Sequence, residues 1–593
     1  GEHEDWKLIS REEPREESSS PTSSPITSVD FMRRVVPAML EKTAADTNEV
    51  LFYLLRRFEE LNRVARGADQ DEELRRVQKA IDQTLIQVNA DPRMYGIREG
   101  KAFDAARTPG SSSEKLLRLL REGKIAFLNL VGGMASRLGL GSMYPLVVVE
   151  MAKYLLGKEH MLSAPEISAV DVQFQGYLLS KEEIKKNRLT PEAAAALRVQ
   201  RKQAFLVSLT QAYRPYEQFF KSRTLGYRMN VAFQKAYRSL FGDAALKKVV
   251  VITVPNASIE QVVRQDYIEN GYFGLNKERL IFMEAPLFDP YFFTHDHEGR
   301  LRLFPNTSIE EAKRATPNHM YVAFQMIFEN EGYLIGEGGE RYTLPDPVLK
   351  ILAREGVEFI VTRRINDLGL LSRNPEEVLG IQQLAAALHL MDQGAEMVSE
   401  VLVNETGQKG GLLLWRPGMA EEDSFLLEGL NAGTTMWDEL LGGLNSEIAR
   451  QTKDVRKGVW FNRFNQTLGV KAMRKRFADV EAQELNILWS MRQRPGGTQF
   501  ETPFGDLSRV LSHRAIYQPG EKVKDFKSFS NLVLALQLIG ERDKALDPKK
   551  SSSPVIPRIL IADVVSSPIR QAVDREAVLK EDWRYYAGKI AEY

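Results

Sequence analysis

The chain has 593 residues, 80 basic and 80 acidic, so its formal net charge is zero, which argues against nucleic acid or an anionic membrane as the main partner. With 43% hydrophobic and 27% charged residues it is composed like an ordinary globular protein, and it is too long for one hydrophobic core. Cys 0 and His 7 exclude disulfides, thiolate nucleophiles and cysteine-ligated metals and leave few ligands for a histidine-rich centre, and no apolar run reaches membrane-spanning length.

Residues 1–30 centre on EEPREESSSPTSSP, bury too little apolar surface to offset their ordering entropy, and read as a disordered tail. Gly1 in place of Met suggests a processed or recombinant start, which leaves a removed targeting segment open; the expected location is cytoplasmic. Residues 31–120 read as an N-terminal helical region: Leu51, Leu54, Leu55, Phe58 and Leu61 recur at three- and four-residue steps, with a break at Gly67–Asp69. Thr108–Ser113 reads as a hinge-like loop before a short helix that ends near Gly123.

A core unit spans 121–540. It opens on the strand Ile125–Val131, which breaks into Gly132-Gly133 and a short loop carrying Arg137 and Gly139 before Pro145. A buried strand running into a glycine turn lets backbone N–H groups approach an anionic or planar ligand, and Arg137 offers a cationic fork suited to phosphate. A helical lobe follows over about 150–243, including a helix start at Pro191. Its Tyr213, Tyr216, Phe219 and Phe220 lie near Lys221 and Arg223, but no wider basic field supports base stacking.

Lys248–Pro255 is the clearest buried strand. A helix, a glycine turn and the strand RLIFMEAP follow; then come a helix capped at Gly356, another strand, and a polar tip at Asn366-Asp367. Alternating strands and helices predict α/β units and a largely parallel sheet, with ligands beyond the carboxyl ends of the strands. Gly132-Gly133 and Asp367 both fall at such ends. From Ala395 the pattern turns β-rich, with a tight turn at Gly407–Gly410 in a hairpin or meander. Helices are expected over 436–454 and 481–492. Residues 541–593 read as a linker and C-terminal segment.

The landmarks, in order, resemble the UTP–glucose-1-phosphate uridylyltransferase and UDP-N-acetylhexosamine pyrophosphorylase family. LVGGMASRLG occupies the place of its L-x-G-G-x-G-T-x-L/M-G loop. VITVPNASIEQVVRQDYIENGYFGL resembles its strand, asparagine/serine loop and helix, and TPNHMY resembles P-x-G-H-G-D. INDLG resembles the S/V-D-N-L tip, and GQKGGLLLW with FLLEGLN resembles the G-G-V-L and V-V-E-Y-S-E pair. VWFNRFNQTL resembles F-N-T-N-N-x-W, and VKDFKSFSNLVLAL resembles F-x-P-V-K-x-x-x-D-L-L.

The resemblance implies a GT-A-like, doubly wound mixed sheet with a Rossmann-like layout and a small C-terminal domain. It also implies a transfer in which UTP and a sugar 1-phosphate give a UDP-sugar and pyrophosphate with Mg2+, most like UDP-glucose pyrophosphorylase. By motif position, Gly132, Gly133, Asn256, Asn318 and His319 would bind the nucleotide. Arg137 and Lys527 would serve the phosphates, Gly411, Glu428 and Asn462 the sugar, and Asp367 the metal. Nucleic acid, membrane and a fixed oligomeric state are not implied.

The chain also departs from the pattern. Ala135 and Ser136 stand in the glycine loop, Leu146 where the lysine after proline is expected, Asn318 and Met320 at two glycines, Ala285 at a glutamine and Leu368 at an asparagine. A lost cation of this kind commonly costs a few kcal/mol of transition-state stabilisation. These departures motivate an alternative: an impaired relative that binds a nucleotide-sugar or a protein partner.

Overall fold

The computed structural model describes residues 98–133, 142–146, 181–197, 200, 224–287, 291–295, 301–305, 308, 320–403, 411–415, 417–427, 460–478, 490–494, 497–501 and 504–521. The expectations for the N-terminal tail, the helical stripe of 51–61, the Gly407–Gly410 turn, the helix over 436–454, the C-terminal segment and much of the helical lobe lie outside them.

The strands in chain order are β1 (Arg98–Glu99), β2 (Ala102–Asp104), β3 (Ile125–Leu130), β4 (Val250–Val254), β5 (Leu280–Phe282), β6 (Tyr291–His295), β7 (Leu301–Pro305), β8 (Tyr333–Ile335) and β9 (Arg341–Thr343). Then come β10 (Phe359–Arg364), β11 (Met397–Val403), β12 (Leu412–Trp415), β13 (Phe425–Leu427), β14 (Trp460–Gly469), β15 (Ser490–Arg494), β16 (Gly497–Glu501) and β17 (His513–Tyr517). The principal helices are α1 (Gly110–Glu122), α2 (Leu225–Phe241), α3 (Glu260–Glu269), α4 (Met320–Phe328), α5 (Val348–Arg354), α6 (Pro375–Leu379), α7 (Ile381–Asp392) and α8 (Val470–Phe477).

The main sheet runs β2-β17-β11-β14-β10-β3-β4-β5-β8-β9. β10, β3, β4 and β5 are mutually parallel, as are β11, β17 and β2. Between these blocks β14 lies antiparallel to both β10 and β11, so the carboxyl ends of all seven parallel strands share one edge. The result is a mixed, mostly parallel α/β sheet, as the alternating pattern predicts.

Alternation along β3 divides the core. Ile125 and Phe127 join the cluster containing residues of α1, α2, α3, α6 and α7, whereas Ala126, Leu128 and Leu130 join the one containing residues of α4, α5 and α8. Helices on both faces explain why β3 and β4 read as near-continuous apolar runs.

Some expectations change. Residues 108–113 are not wholly a loop, because α1 starts at Gly110; the serines there supply its first turn, where polar side chains are well tolerated. Of the helix expected over 481–492, residues 481–489 lie outside the described residues, and 490–492 belong instead to β15, paired antiparallel with β16; there cross-strand pairing overrides a local helical pattern. β11 does not form a hairpin with β12. β12 pairs with β13, β1 and β14. Within 31–120, β1 and β2 are strands too short to show a period.

His513 on β17 is fully buried, its Nε2 2.9 Å from Ser399 Oγ and its Nδ1 3.1 Å from both Ser424 Oγ and Ser424 O. Burial pushes its pKa down to about 4. The unfolded chain therefore takes up a proton below the ordinary value while the folded chain does not, so stability present above that value is lost as pH falls towards 4. Urea titrations should show a loss of up to about 3 kcal/mol over this window, absent in His513→Gln.

Candidate functional site

The order of the strands defines a crevice. From β3 the chain proceeds through β4 and β5 on one side, and β10 is added on the other. Outside the carboxyl ends of β3 and β10 lies a topological switch point, where open α/β sheets bind ligands. Gly132-Gly133 leaves β3 there and Ile365–Asp367 leaves β10. The two walls are close: a Cβ on Gly133 would lie 3.2 Å from Ile365 Cγ2.

Asn256, just beyond β4, is completely buried and latches the glycine turn. Its Nδ2 donates to Gly132 O (2.8 Å) and Ser142 Oγ (3.4 Å), and its Oδ1 accepts from Ser258 N (3.0 Å) and Oγ (2.6 Å). Gly132 N–H donates to Val254 O (3.0 Å) and Met143 N–H to Gly133 O (3.0 Å), so the glycine turn is tied to the end of β4 and to Met143. Any Cβ on Gly132 would sit 2.8 Å from Asn256 N. Because backbone cannot yield cheaply, Gly132→Ala should cost about 1–3 kcal/mol in denaturant titration and weaken ligand binding in the crevice.

The returning segment Ser142–Leu146 is anchored by α2. Tyr144 is completely buried and its ring fills the space left by Gly226, where a Cβ would come within 2.2 Å of the ring. The phenol donates to Asp266 Oδ2 (2.5 Å) and accepts from Asn230 Nδ2 (2.9 Å). Leu225 N–H and Gly226 N–H donate to Leu146 O (2.7 Å) and Tyr144 O (3.0 Å). Leu146 itself is buried in the core. The position at which the resemblance expects lysine is thus an apolar anchor.

Beside the crevice stands a charge cluster. Opposite the single residue Glu400 of β11, β14 places three residues, 463–465, between the pairs Ser399–Gln466 and Val401–Asn462. Such a bulge re-aims side chains, and here Arg463 and Asn465 both reach Glu400. Arg463 Nη1 lies 2.5 Å from Glu400 Oε1 and 3.0 Å from Glu521 Oε1, and Nη2 lies 3.4 Å from Asp367 Oδ1. Asn465 Nδ2 donates to Asp367 Oδ2 (3.2 Å) and Glu400 Oε2 (3.0 Å), while Asp367 Oδ1 also accepts from Gly369 N–H (2.9 Å).

Burial disfavours the charge on Asp367, but Arg463, the Gly369 N–H, Asn465 and Arg363 outweigh it and hold the carboxyl below its usual range. Burial likewise opposes the Arg463 charge, which Glu400, Asp367 and Glu521 more than restore. Arg363, just beneath, lies over Phe127 and Phe233 at 5.5 and 4.9 Å. Burial lowers its pKa to about 10. A cavity of about 70 Å³ opens here, lined among others by Arg363, Asp367, Gln383, Glu400, Arg463 and Glu521. By general cavity dimensions this holds a few waters rather than a nucleotide.

Of the residues singled out by sequence, Gly132, Gly133 and Asn256 meet at one wall of the crevice and Asp367 at the other. Gly411 O accepts from Asn462 N–H (2.8 Å), which brings that pair together, and Asn462 is completely buried with its Oδ1 3.3 Å from Gln466 Nε2. Ala285 pairs with Asn256 in an isolated bridge. Arg137, Asn318, His319, Glu428 and Lys527 lie outside the described residues. Sequence reasoning passed over Glu400, Arg463, Asn465 and Arg363. The available signal for Glu400 and Arg363 was a charge within, or near the end of, a largely apolar strand; the polar stretch WFNRFNQTLG offered none for Arg463 and Asn465.

Mg2+ does not fit Asp367 as it stands. Magnesium needs near-octahedral oxygen donors, whereas both oxygens of Asp367 already accept hydrogen bonds and the neighbouring carboxylates converge on a guanidinium. Among the described residues no group of three acidic or histidine side chains is arranged to hold a metal ion, and no helix is long and apolar enough to cross a membrane.

No protein-family model matches the sequence, and no curated protein matches it. Among solved structures the chain is similar to the uridine diphosphate N-acetylglucosamine pyrophosphorylase from Trypanosoma brucei in complex with an inhibitor (14% identity, TM-score 0.41, covering 90% of this chain and 84% of that one). It is also similar to a UDP-glucose phosphorylase from Trypanosoma brucei (13%, 0.41, 85% and 78%). A third is a UDP-glucose pyrophosphorylase variant from Leishmania major in complex with UDP-glucose (13%, 0.40, 86% and 78%). At such identities and scores the activity has to be argued from the chain's own residues.

Proposed function

We propose that the chain is a sugar-1-phosphate uridylyltransferase of the UDP-glucose pyrophosphorylase type, converting UTP and a sugar 1-phosphate into a UDP-sugar and pyrophosphate on a GT-A-like fold. The observation that carries this reading is the latched Gly132-Gly133 turn at the switch point between β3 and β10. A glycine turn there brings backbone donors against a planar or anionic ligand. The order of motifs along the chain supports uridine and phosphate chemistry at that place.

In this reading a sugar phosphate oxygen attacks the α-phosphorus in line, forming the new P–O bond as the bond to pyrophosphate breaks. The protein's contribution is positioning and charge compensation. Gly132 and Gly133 lie against the base with Asn318 and His319 beside it, and Asn256 holds the turn. Arg137 and Lys527 offset phosphate charge, and Gly411, Glu428 and Asn462 receive the sugar. No step is assigned to a metal on Asp367.

The deciding assay is pyrophosphate release from UTP with glucose 1-phosphate and N-acetylglucosamine 1-phosphate, in magnesium or manganese and in EDTA. Turnover with at least one sugar is expected, and no turnover under any of these conditions sinks the transferase. Buried Leu146, in place of a lysine, favours a second reading: a relative that binds UDP-sugars without turnover. Calorimetric binding of UDP-glucose by an inactive protein would select it.

A further inference from the structure

We infer that Arg463 is the resident cation of the Asp367–Glu400–Glu521 cluster, standing where these carboxylates would otherwise gather a divalent ion. The functional meaning of this arrangement rests on the transferase reading; the occupancy of the cluster rests on geometry alone.

Three features of the chain lead there. First, three carboxylates from separate parts of the chain converge on one guanidinium, at 2.5, 3.0 and 3.4 Å. Arg463 and its partners keep only 7–17% of their side-chain surface exposed. Buried carboxylates need compensation, and a planar fork can serve several at once in a way a point charge cannot. Second, the β14 bulge presents Arg463 and Asn465 together, so Glu400 has one oxygen on each. Third, Asp367 directs one oxygen to Asn465 and the other to Gly369 N–H and Arg463. A metal entering this cluster would have to displace the guanidinium and strip those donors from Asp367. In the transferase reading the cluster therefore supplies no metal ion to the nucleotide, because its guanidinium and its carboxylates are already taken up by one another.

The test is an electron paramagnetic resonance titration of the full chain with Mn2+. Wild type and Asp367→Asn should bind Mn2+ indistinguishably. Arg463→Ala should gain one Mn2+ per chain, at least about tenfold tighter than any wild-type binding, and Arg463→Ala combined with Asp367→Asn should lose it again. Arg463→Gln, which keeps bulk and a donor, serves if alanine does not fold, and the comparison of wild type with Asp367→Asn decides the matter if neither does. A stoichiometric wild-type Mn2+ site that Asp367→Asn abolishes would overturn the assignment, as would a folded Arg463 variant that gains no site. UTP binding by the wild type, measured calorimetrically in EDTA and in Mg2+, separates the two readings. If UTP binds in neither, the transferase falls while the Mn2+ result still decides what occupies the cluster.

Discussion

Arg463→Ala should lose about 3–5 kcal/mol of folding stability, because removing one partner of a buried ion pair leaves its opposite charge uncompensated. Here three carboxylates depend on the same guanidinium, and Glu400 and Asp367 keep only Asn465 in common. Lysine is expected to recover less than half of the loss, since one ammonium cannot span three acceptors. The pH dependence supplies the diagnostic. In the wild type Asp367 has a depressed folded pKa, so its contribution is present above the unfolded value and lost as pH falls through the folded one. Without Arg463 the stranded carboxylates favour protonation, and the deficit of the variant relative to wild type should shrink as the buffer is acidified. Urea unfolding at a series of pH values measures both effects; a deficit independent of pH would mean that packing, not charge, is what Arg463 contributes.

Glu329→Gln should act in the opposite direction. Glu329 follows α4 and is completely buried; burial, then the neighbouring Glu331 carboxylate, raises its pKa to about 9. At neutral pH the folded chain holds this proton and the unfolded chain has released it, so folding must take up a proton and stability declines as pH rises from the ordinary carboxylate value to about 9. Glutamine removes that requirement and keeps the size of the side chain. The variant should gain up to about 3 kcal/mol at pH 7, with the gain vanishing below the ordinary carboxylate pKa. Thermal and urea unfolding at pH 4.5, 7 and 8.5 would show it. Equal stability of the two proteins at pH 8.5 would mean that Glu329 is ionised in the fold.

The sheet was legible in the sequence where burial on both faces leaves an unbroken apolar run, as in Ile125–Leu130 and Val250–Val254. The end of the first also announced itself, because Gly132-Gly133 interrupts its run abruptly, and the polar tip Asn366-Asp367 marked the end of β10. What could not be read was pairing between distant segments. Trp460–Gly469 alternates no more clearly than many loops, yet it forms the longest strand described, because β10 and β11 offer it an edge on each side. The charge cluster was hidden for the same reason. Glu400 stands with Ser399 as a polar break in the apolar run Met397–Val403, and only the bulge opposite it reveals that its side chain is buried against Arg463. Asp367 was correctly placed at a strand end, but its partners come from a segment almost a hundred residues later.

The antiparallel β14 also bears on how the polypeptide is made. A ribosome releases β10, α6, α7 and β11 well before residue 460, and two parallel strands joined by helices ordinarily settle side by side. In the finished protein they are kept apart by a strand synthesised later, and β2 waits for β17 before it meets the sheet. The nascent chain therefore carries two open edges through much of its synthesis, with a tempting neighbour already at hand. Edges of this kind invite wrong pairings and aggregation. Completion of the sheet is in that sense a late event, in which β14 and β17 wedge open and complete what the earlier strands began.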